Sequence, residues 1–282
     1  MLENIKNHPM YKVLSKDTIE MEIVPYLPTP KRGFKTEVPL YEIVNCILYK
    51  LKTGIQWHLL PILDLFSDKT LHYKTIFGYY RKWCKENVWK TCWIGFLGRN
   101  KGKIDLSSSD LDGSHTIALR GGEEVGYQGR KKRKTTNALY FTDRQGIPLA
   151  MSKPVSGNHH DLYDIELHFD EIIKVLQQAT ISVDGLFMNA DAGFDAENLR
   201  RICQQKGIIA NITQNKRNSG RDSELYFDEE LYKERYSIER TNAWMDSFRS
   251  LLNRFDTTLS SWIGFNYLAF ITIACNKFKK SR

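Results

Sequence analysis

Two stretches decide the fold: Ser107-Ser-Ser-Asp-Leu-Asp112-Gly-Ser-His115 and Gly185-Leu-Phe-Met-Asn-Ala-Asp191. Each reads as a short strand that ends in a carboxylate close to a glycine, Gly113 in one case and Gly193 in the other. Asp-Gly is ordinary turn chemistry, and either aspartate alone reads as a turn. In α/β sheets, however, side chains at strand ends converge and ligands gather there. Working outward, Asn137-Ala-Leu-Tyr-Phe-Thr-Asp143 and Gly146-Ile-Pro-Leu-Ala-Met-Ser152 are apolar runs on either side of a tight turn, a hairpin signal. Residues 120–134 read as a loop rich in glycine and charge. A helix is expected to begin after Gly157, because Leu162, Ile165, Leu167, Phe169, Ile172, Ile173 and Leu176 are largely periodic. Residues 195–205 read as another helix, 207–213 as a strand and 213–228 as a polar loop. Strands first as a meander and then alternating with helices imply an α/β domain with a mixed sheet.

Upstream, Val38, Tyr41, Ile43, Val44, Ile47, Leu48 and Leu51 recur at helical spacing, and the helix stops near Gly54. A second run holds Tyr73, Ile76, Phe77, Tyr80, Trp83 and Cys84, with Arg81, Lys82 and Lys85 between them. The chain thus divides into an N-terminal arm (1–35), a small helical domain (36–98) and an α/β domain (101–282). The helical part reads either as a DNA-contacting helix-turn-helix or as a cap that completes the core. The 282 residues are 41% hydrophobic and 26% charged, a globular balance. Lys and Arg total 41 against 33 Asp and Glu, and the surplus favours a polyanionic partner. Five cysteines without CxxC spacing argue against a disulfide scaffold or structural zinc and suit a reducing cytoplasm. The start, Met1-Leu-Glu-Asn-Ile-Lys6, lacks the pattern of a signal peptide. The apolar run over 262–275 is too short for a membrane span and contains Asn266, so a packed helix is expected and no membrane partner.

Residues 229–254 read as one helix. At about 100° per residue, Tyr232, Arg235, Glu239 and Asp246 fall within about 60° of one another, opposite an apolar face. Three carboxylates, Asp112, Asp191 and Glu239, from two strand ends and a helix, suit hard divalent cations such as Mg²⁺ or Mn²⁺. Two such ions would serve in-line displacement at a phosphate, with Tyr232 and Arg235 holding the substrate backbone. The run Arg130, Lys131, Lys132, Arg133 and Lys134 reads as a phosphate-binding arm or as a solvated loop. The glycines at 121, 122, 126 and 129 make no P-loop, so no nucleotide cofactor is expected. In His159-His160-Asp161, helix capping by Asn158 or Asp161 is favoured over a metal site. His115 reads equally as a site-orienting or a structural residue. Trp57, Trp83, Trp89, Trp93 and Trp244 read as core, with base stacking open to any that is partly exposed.

The blocks Asp112-Gly-Ser-His, Asn189-Ala-Asp191-Ala-Gly-Phe-Asp195 and Tyr232-x2-Arg235-x3-Glu239 resemble those of a DDE transposase. They are most similar to bacterial insertion-sequence family five, within the four-and-five superfamily. Further matches are Gly121-Gly-Glu-Glu-Val-Gly-Tyr127, Asp143-Arg-Gln-Gly-Ile-Pro-Leu149, Ile238-Glu-Arg-Thr-Asn-Ala-Trp244 and, in the helical part, Tyr49-Lys-Leu-Lys-Thr-Gly-Ile-Gln-Trp-His-Leu-Leu-Pro61. The resemblance implies a ribonuclease-H-like core with Asp112 on the first strand, Asp191 just after the fourth and Glu239 on a later helix. It implies metal-dependent cleavage at an element's terminal inverted repeats, freeing 3′-hydroxyls that join target DNA without a covalent enzyme–DNA intermediate. A homodimer on DNA and a nucleoid-associated place in a bacterial cytoplasm follow from the same likeness. The family's usual Lys seven positions after the Glu is Asp246 here, with Arg240 and Arg249 nearby as candidates to replace it. The rival readings are a nuclease on the same fold that cuts without joining and a catalytically inactive DNA-binding repressor remnant.

Overall fold

The sheet is organised around one long antiparallel pair. The computed structural model describes residues 12–28, 36–215 and 226–280; the expected N-terminal arm and polar loop fall partly outside these. Strands run β1 (Ser109–Ala118), β2 (Gly126–Gln128), β3 (Arg133–Asp143), β4 (Pro148–Met151), β5 (Val155–Ser156), β6 (Phe187–Ala190), β7 (Ile209–Ile212) and β8 (Asn253–Arg254). β1 pairs with β3 from Ser109↔Asp143 to Ile117↔Thr135. Along the other edge of β3 lie β2, β5 and β4, end to end. On its free side β1 takes β6 in parallel at Ser109 and Asp110, and β6 takes β7 in parallel. In the row β4-β3-β1-β6-β7 only β3 runs against the others, the ribonuclease-H-like order that the resemblance implied.

Helices follow as α1 (Lys16–Glu22), α2 (Leu40–Thr53), α3 (Ile62–Leu65), α4 (Tyr73–Lys85), α5 (Val88–Asn100), α6 (Ile165–Gln178), α7 (Glu197–Gln205), α8 (Glu229–Lys233), α9 (Tyr236–Asp246), α10 (Arg249–Leu252) and α11 (Leu259–Lys280). Parallel neighbours need a crossover, and α7 supplies it between β6 and β7. α2 ends where expected: Gly54 adopts φ 70° and its N–H closes on the Lys50 carbonyl at 2.9 Å.

Three expectations are corrected. The supposed loop over 120–134 contains β2 and the start of β3, because Gly126-Tyr-Gln128 zips onto Arg133–Thr135. α6 starts at Ile165 rather than soon after Gly157, and neither Asn158 nor Asp161 caps it. The Asp161 carboxylate instead accepts from Asn137 Nδ2 at 2.8 Å, and the residue before the helix, Asp164, has φ 44°. The single helix over 229–254 is three short helices, and its last two residues are β8, paired with the far end of β1.

α11 is buried on nearly every side by the helical part and the sheet together. Tyr80 stacks on Phe265 with ring centroids 4.5 Å apart, and Trp57 packs on Tyr80. Trp93 meets Phe270 edge-on and donates Nε1–H to the Leu149 carbonyl at 2.8 Å, while Tyr140 donates to Asn266 Oδ1 at 2.8 Å. The helical part therefore shares one core with the α/β part. Among the described residues no helix is long and apolar enough to cross a membrane, and all five cysteines are buried and unbridged.

Trp93→Phe removes indole volume and strands the Leu149 carbonyl, with an expected loss of about 2–4 kcal/mol. Because the core is shared, far-ultraviolet ellipticity and tryptophan emission should still unfold together in urea. Two separate transitions would show that the helical part is an independent unit.

Candidate active site

Asp110 is buried on β1 and needs hydrogen-bond partners. Its Oδ1 accepts from Asn189 Nδ2 on β6 at 3.1 Å, and its other oxygen accepts from the Ser237 hydroxyl on α9. Asn189 Oδ1 in turn accepts from Asn211 Nδ2 on β7 at 2.8 Å, and Asn211 Oδ1 accepts the Asp228 N–H at 2.8 Å. This polar ladder crosses three strands and fastens the start of α8 and of α9 to the sheet. It also explains the broken helix. The Leu231 carbonyl takes Asn189 Nδ2 at 3.2 Å and the Glu234 N–H at 3.1 Å, and the chain tightens there before α9 begins beyond Arg235. Gly146, at φ 81°, lets the β3–β4 turn approach α9 closely enough for Thr241 Oγ1 to donate to its carbonyl at 2.6 Å.

With a period of two, Asp112 shares the α9-facing side of β1 with Asp110. Asn242 Nδ2 of α9 lies 3.5 Å from Asp112 Oδ2, and the Gly113 N–H donates to Asp112 Oδ1 at 2.9 Å. The β1–β6 register, Asp110↔Asn189, carried on by two residues sets Asp191 beside Asp112. Asp191 Oδ1 accepts the Gly193 N–H at 2.8 Å, which fixes the turn after β6. Burial pushes the Asp112 carboxyl up to about 6, the Gly113 bond and the Arg235 charge act the other way, and the charges of Asp191 and Asp161 raise it further. Arg235 stacks over the Tyr232 ring at 5.7 Å, and its Nη1 is buried without an acceptor among the described residues.

Glu239 sits one turn before Asn242, so it shares the side of α9 that looks toward Asp112. It is exposed and forms no bond among the described residues. Among those residues no trio of His, Cys, Asp or Glu is gathered into a metal cage. The donor chemistry nonetheless fits a hard divalent ion: two half-buried carboxylates stand side by side with the charge of Arg235 acting on Asp112, and a third, which forms no bond among the described residues, is exposed on the facing helix.

The basic run forms the exposed tip of the β2–β3 hairpin and the first residues of β3. Arg130 N–H is held by Gln128 Oε1 at 2.8 Å, Lys132 has φ 49°, and Arg133 and Lys134 project from β3. Lys131 Nζ reaches back to the His115 carbonyl at 2.7 Å, and its charge acts on Asp246 against the effect of burial, which raises that carboxyl. The broken helix removes the single stripe expected from the sequence. Tyr232 belongs to α8, and Asp246 lies toward the hairpin tip. Arg240 donates to the Arg144 carbonyl at 3.3 Å and covers Tyr236, away from Asp112.

Residues 114–275 match the family described as DDE superfamily endonuclease, and residues 21–93 match the putative transposase of the IS4/5 family. The chain belongs to the DDE superfamily endonucleases. A putative transposase for insertion sequence element IS6501 from Brucella ovis is 31% identical over 142 residues, covering 48% of this chain and 94% of that protein. Among solved structures, the Mos1 strand transfer complex has TM-score 0.34 at 10% identity, covering 87% of this chain and 80% of that one. A pre-cleavage Mos1 transpososome has TM-score 0.31 at 11% identity, over 88% and 81%. The chain is thus a DDE-type transposase.

Three residues that the fold brings close to the candidate site, Asp110, Asn242 and Asp161, were not assigned to it from the sequence. Asp110 was discoverable, because it stands two places before Asp112 on the same strand face. Asn242 and Asp161 gave no local signal, since their partners Asp112 and Asn137 lie far away in the chain.

With an ordinary value of 3.8 and a folded value of about 6, Asp112 binds its proton more tightly in the folded chain. Its ionisation therefore costs stability fully above about pH 6, and the cost disappears toward pH 4. Asp112→Asn is expected to raise the melting temperature of metal-free protein by roughly 2–6 °C at pH 7.5. That gain should fade as the pH is lowered to about 4. A pH-independent difference in differential scanning fluorimetry would refute the electrostatic account.

Proposed function

We propose that this transposase binds the terminal inverted repeats of its element, cleaves the DNA at the ends and joins the freed 3′-hydroxyls to target DNA. The observation that carries the reading is Asp112 on β1 beside Asp191 just past the end of the parallel strand β6, with the helix that bears Glu239 reaching Asp112 through Asn242. Asp112, Asp191 and Glu239 are the residues that would hold Mg²⁺ or Mn²⁺, two ions per site. Bound there, the ions would polarise the scissile phosphate and ease deprotonation of the attacking hydroxyl. The chain's own contribution is positioning. Asn242 and the Gly113 N–H orient Asp112, and Gly193 orients Asp191. Arg235, steadied on Tyr232, offers its spare donors to a substrate phosphate. Arg130, Lys131, Lys132, Arg133 and Lys134 grip the DNA backbone from the hairpin tip, independently of sequence. No Ser or Tyr nucleophile is required. Each element end needs its own site, so the working form on DNA is a homodimer, acting at the nucleoid of a bacterial cytoplasm.

The test is a cleavage and joining assay on DNA with the sequences that flank this gene, with Mg²⁺, Mn²⁺ or EDTA. Metal-dependent 3′-hydroxyl ends joined to target DNA, lost in Asp191→Asn, are expected. Glu239→Gln should abolish both steps while end binding stays within about tenfold, since it removes a metal ligand and no phosphate contact. Binding without cutting would establish a repressor remnant, and cutting without joining a nuclease. Mg²⁺ should also raise the melting temperature of the wild type but not of Asp112→Asn, because only a competent site gains from binding.

A further inference from the structure

On the flank of α9 turned away from Glu239, a pocket of about 270 Å³ opens between α9, α11 and the end of α2. Its floor is apolar, made by the buried Phe248 and Ile273 with Trp244 as a half-buried wall. Around it stand Lys12, Lys52 and Lys277, and the described residues that line it include no Asp or Glu. Lys277 Nζ lies 3.7 Å from the centroid of the Trp244 ring. Lys52 Nζ donates to Ser247 Oγ at 3.0 Å and sits 4.8 Å over the Phe248 ring. Lys12 and Lys52 enter no ion pair among the described residues, whereas Lys16, Lys69, Lys174, Lys206 and Lys233 each meet a carboxylate.

Several ammonium groups around one apolar-floored depression repel one another, and an anion relieves that repulsion. The half-buried Trp244 ring adds a surface suited to a base or a sugar. Trp244 follows Glu239 by five residues, which is about 140° around α9 and about 7.5 Å along it. A small anion could occupy only one of these places, but a polynucleotide is long enough to touch both. We propose that this pocket binds the phosphodiester backbone of DNA outside the cutting site, with Lys12, Lys52 and Lys277 on the phosphates and Trp244 against a base or sugar. The inference rests on the DNA-cutting reading above. It adds a contact on the opposite side of α9 that no part of that reading requires.

The experiment is fluorescence anisotropy with a labelled 30-base-pair duplex across a salt series, using the full chain as wild type and as the Lys52→Gln/Lys277→Gln double variant. Each phosphate contact contributes about 0.9 to the slope of log affinity against log salt, so the double variant should lose about 2 from that slope and about tenfold in affinity at 0.1 M salt. Melting curves of both proteins establish that the variant is folded. Quenching of tryptophan emission by the same duplex, present in the wild type and reduced in Trp244→Phe, reads the pocket without touching a lysine. Unchanged slope and affinity in the double variant, together with unchanged quenching in Trp244→Phe, would overturn this proposal and leave the cutting site intact. Quenching by inorganic phosphate but not by the duplex would overturn the assignment to DNA. A wild-type protein with no affinity for DNA would overturn both readings.

Discussion

A carboxylate buried in a sheet must find donors, and Asp110 finds them on two other elements. Asn189 and Ser237 meet its oxygens, and Asn211 with Asp228 extends the chain of bonds to the sheet edge. The ladder ties β1, β6 and β7 to the helices that follow β7, and it leaves α9 lying across the strand ends. The reach of Asn242 on α9 to Asp112 depends on that tie. So does the interruption before α9, since the side chain of Asn189 takes a helix carbonyl that an uninterrupted helix would use itself.

The charges of the site are arranged against their own stability. Asp112 is half-buried beside Asp191, with Asp161 acting on it as well, and the charge of Arg235 opposes them. Such a centre is held in place by packing rather than by pairing, and it has much to gain from a multivalent cation. Outside it the balance reverses. The hairpin tip, Arg235 and the pocket lysines lie around the acidic centre, and the chain carries a net charge of +8. A polyanion is drawn to the rim, and the centre repels it unless cations are present.

α11 makes this arrangement one body. Its Phe265 and Phe270 receive aromatic side chains from the helical part, while Asn266 takes the hydroxyl of Tyr140 on β3. Surfaces on the two parts, including Lys52 on α2 and Trp244 on α9, are therefore held in a fixed relation.

Local chemistry was legible in the amino-acid order. The strand-end aspartates, the amphipathic α2, α4 and α6, the hairpin at Asp143–Gly146 and the basic run each announce themselves within a few residues, because hydrophobic period, turn chemistry and charge density are short-range properties. The blocks around Asp112, Asp191 and Glu239 carried the family likeness for the same reason. What the tertiary structure alone decided are the features set by partners distant in the chain. β8 exists because Asn253–Arg254 finds the far end of β1. The helix over 229–254 breaks because Asn189 and Asp110 claim its groups, and Asp161 leaves its expected cap because Asn137 offers a better donor. A propensity acts over a turn or two of chain, whereas a buried polar group takes whichever partner the fold brings within about 3 Å.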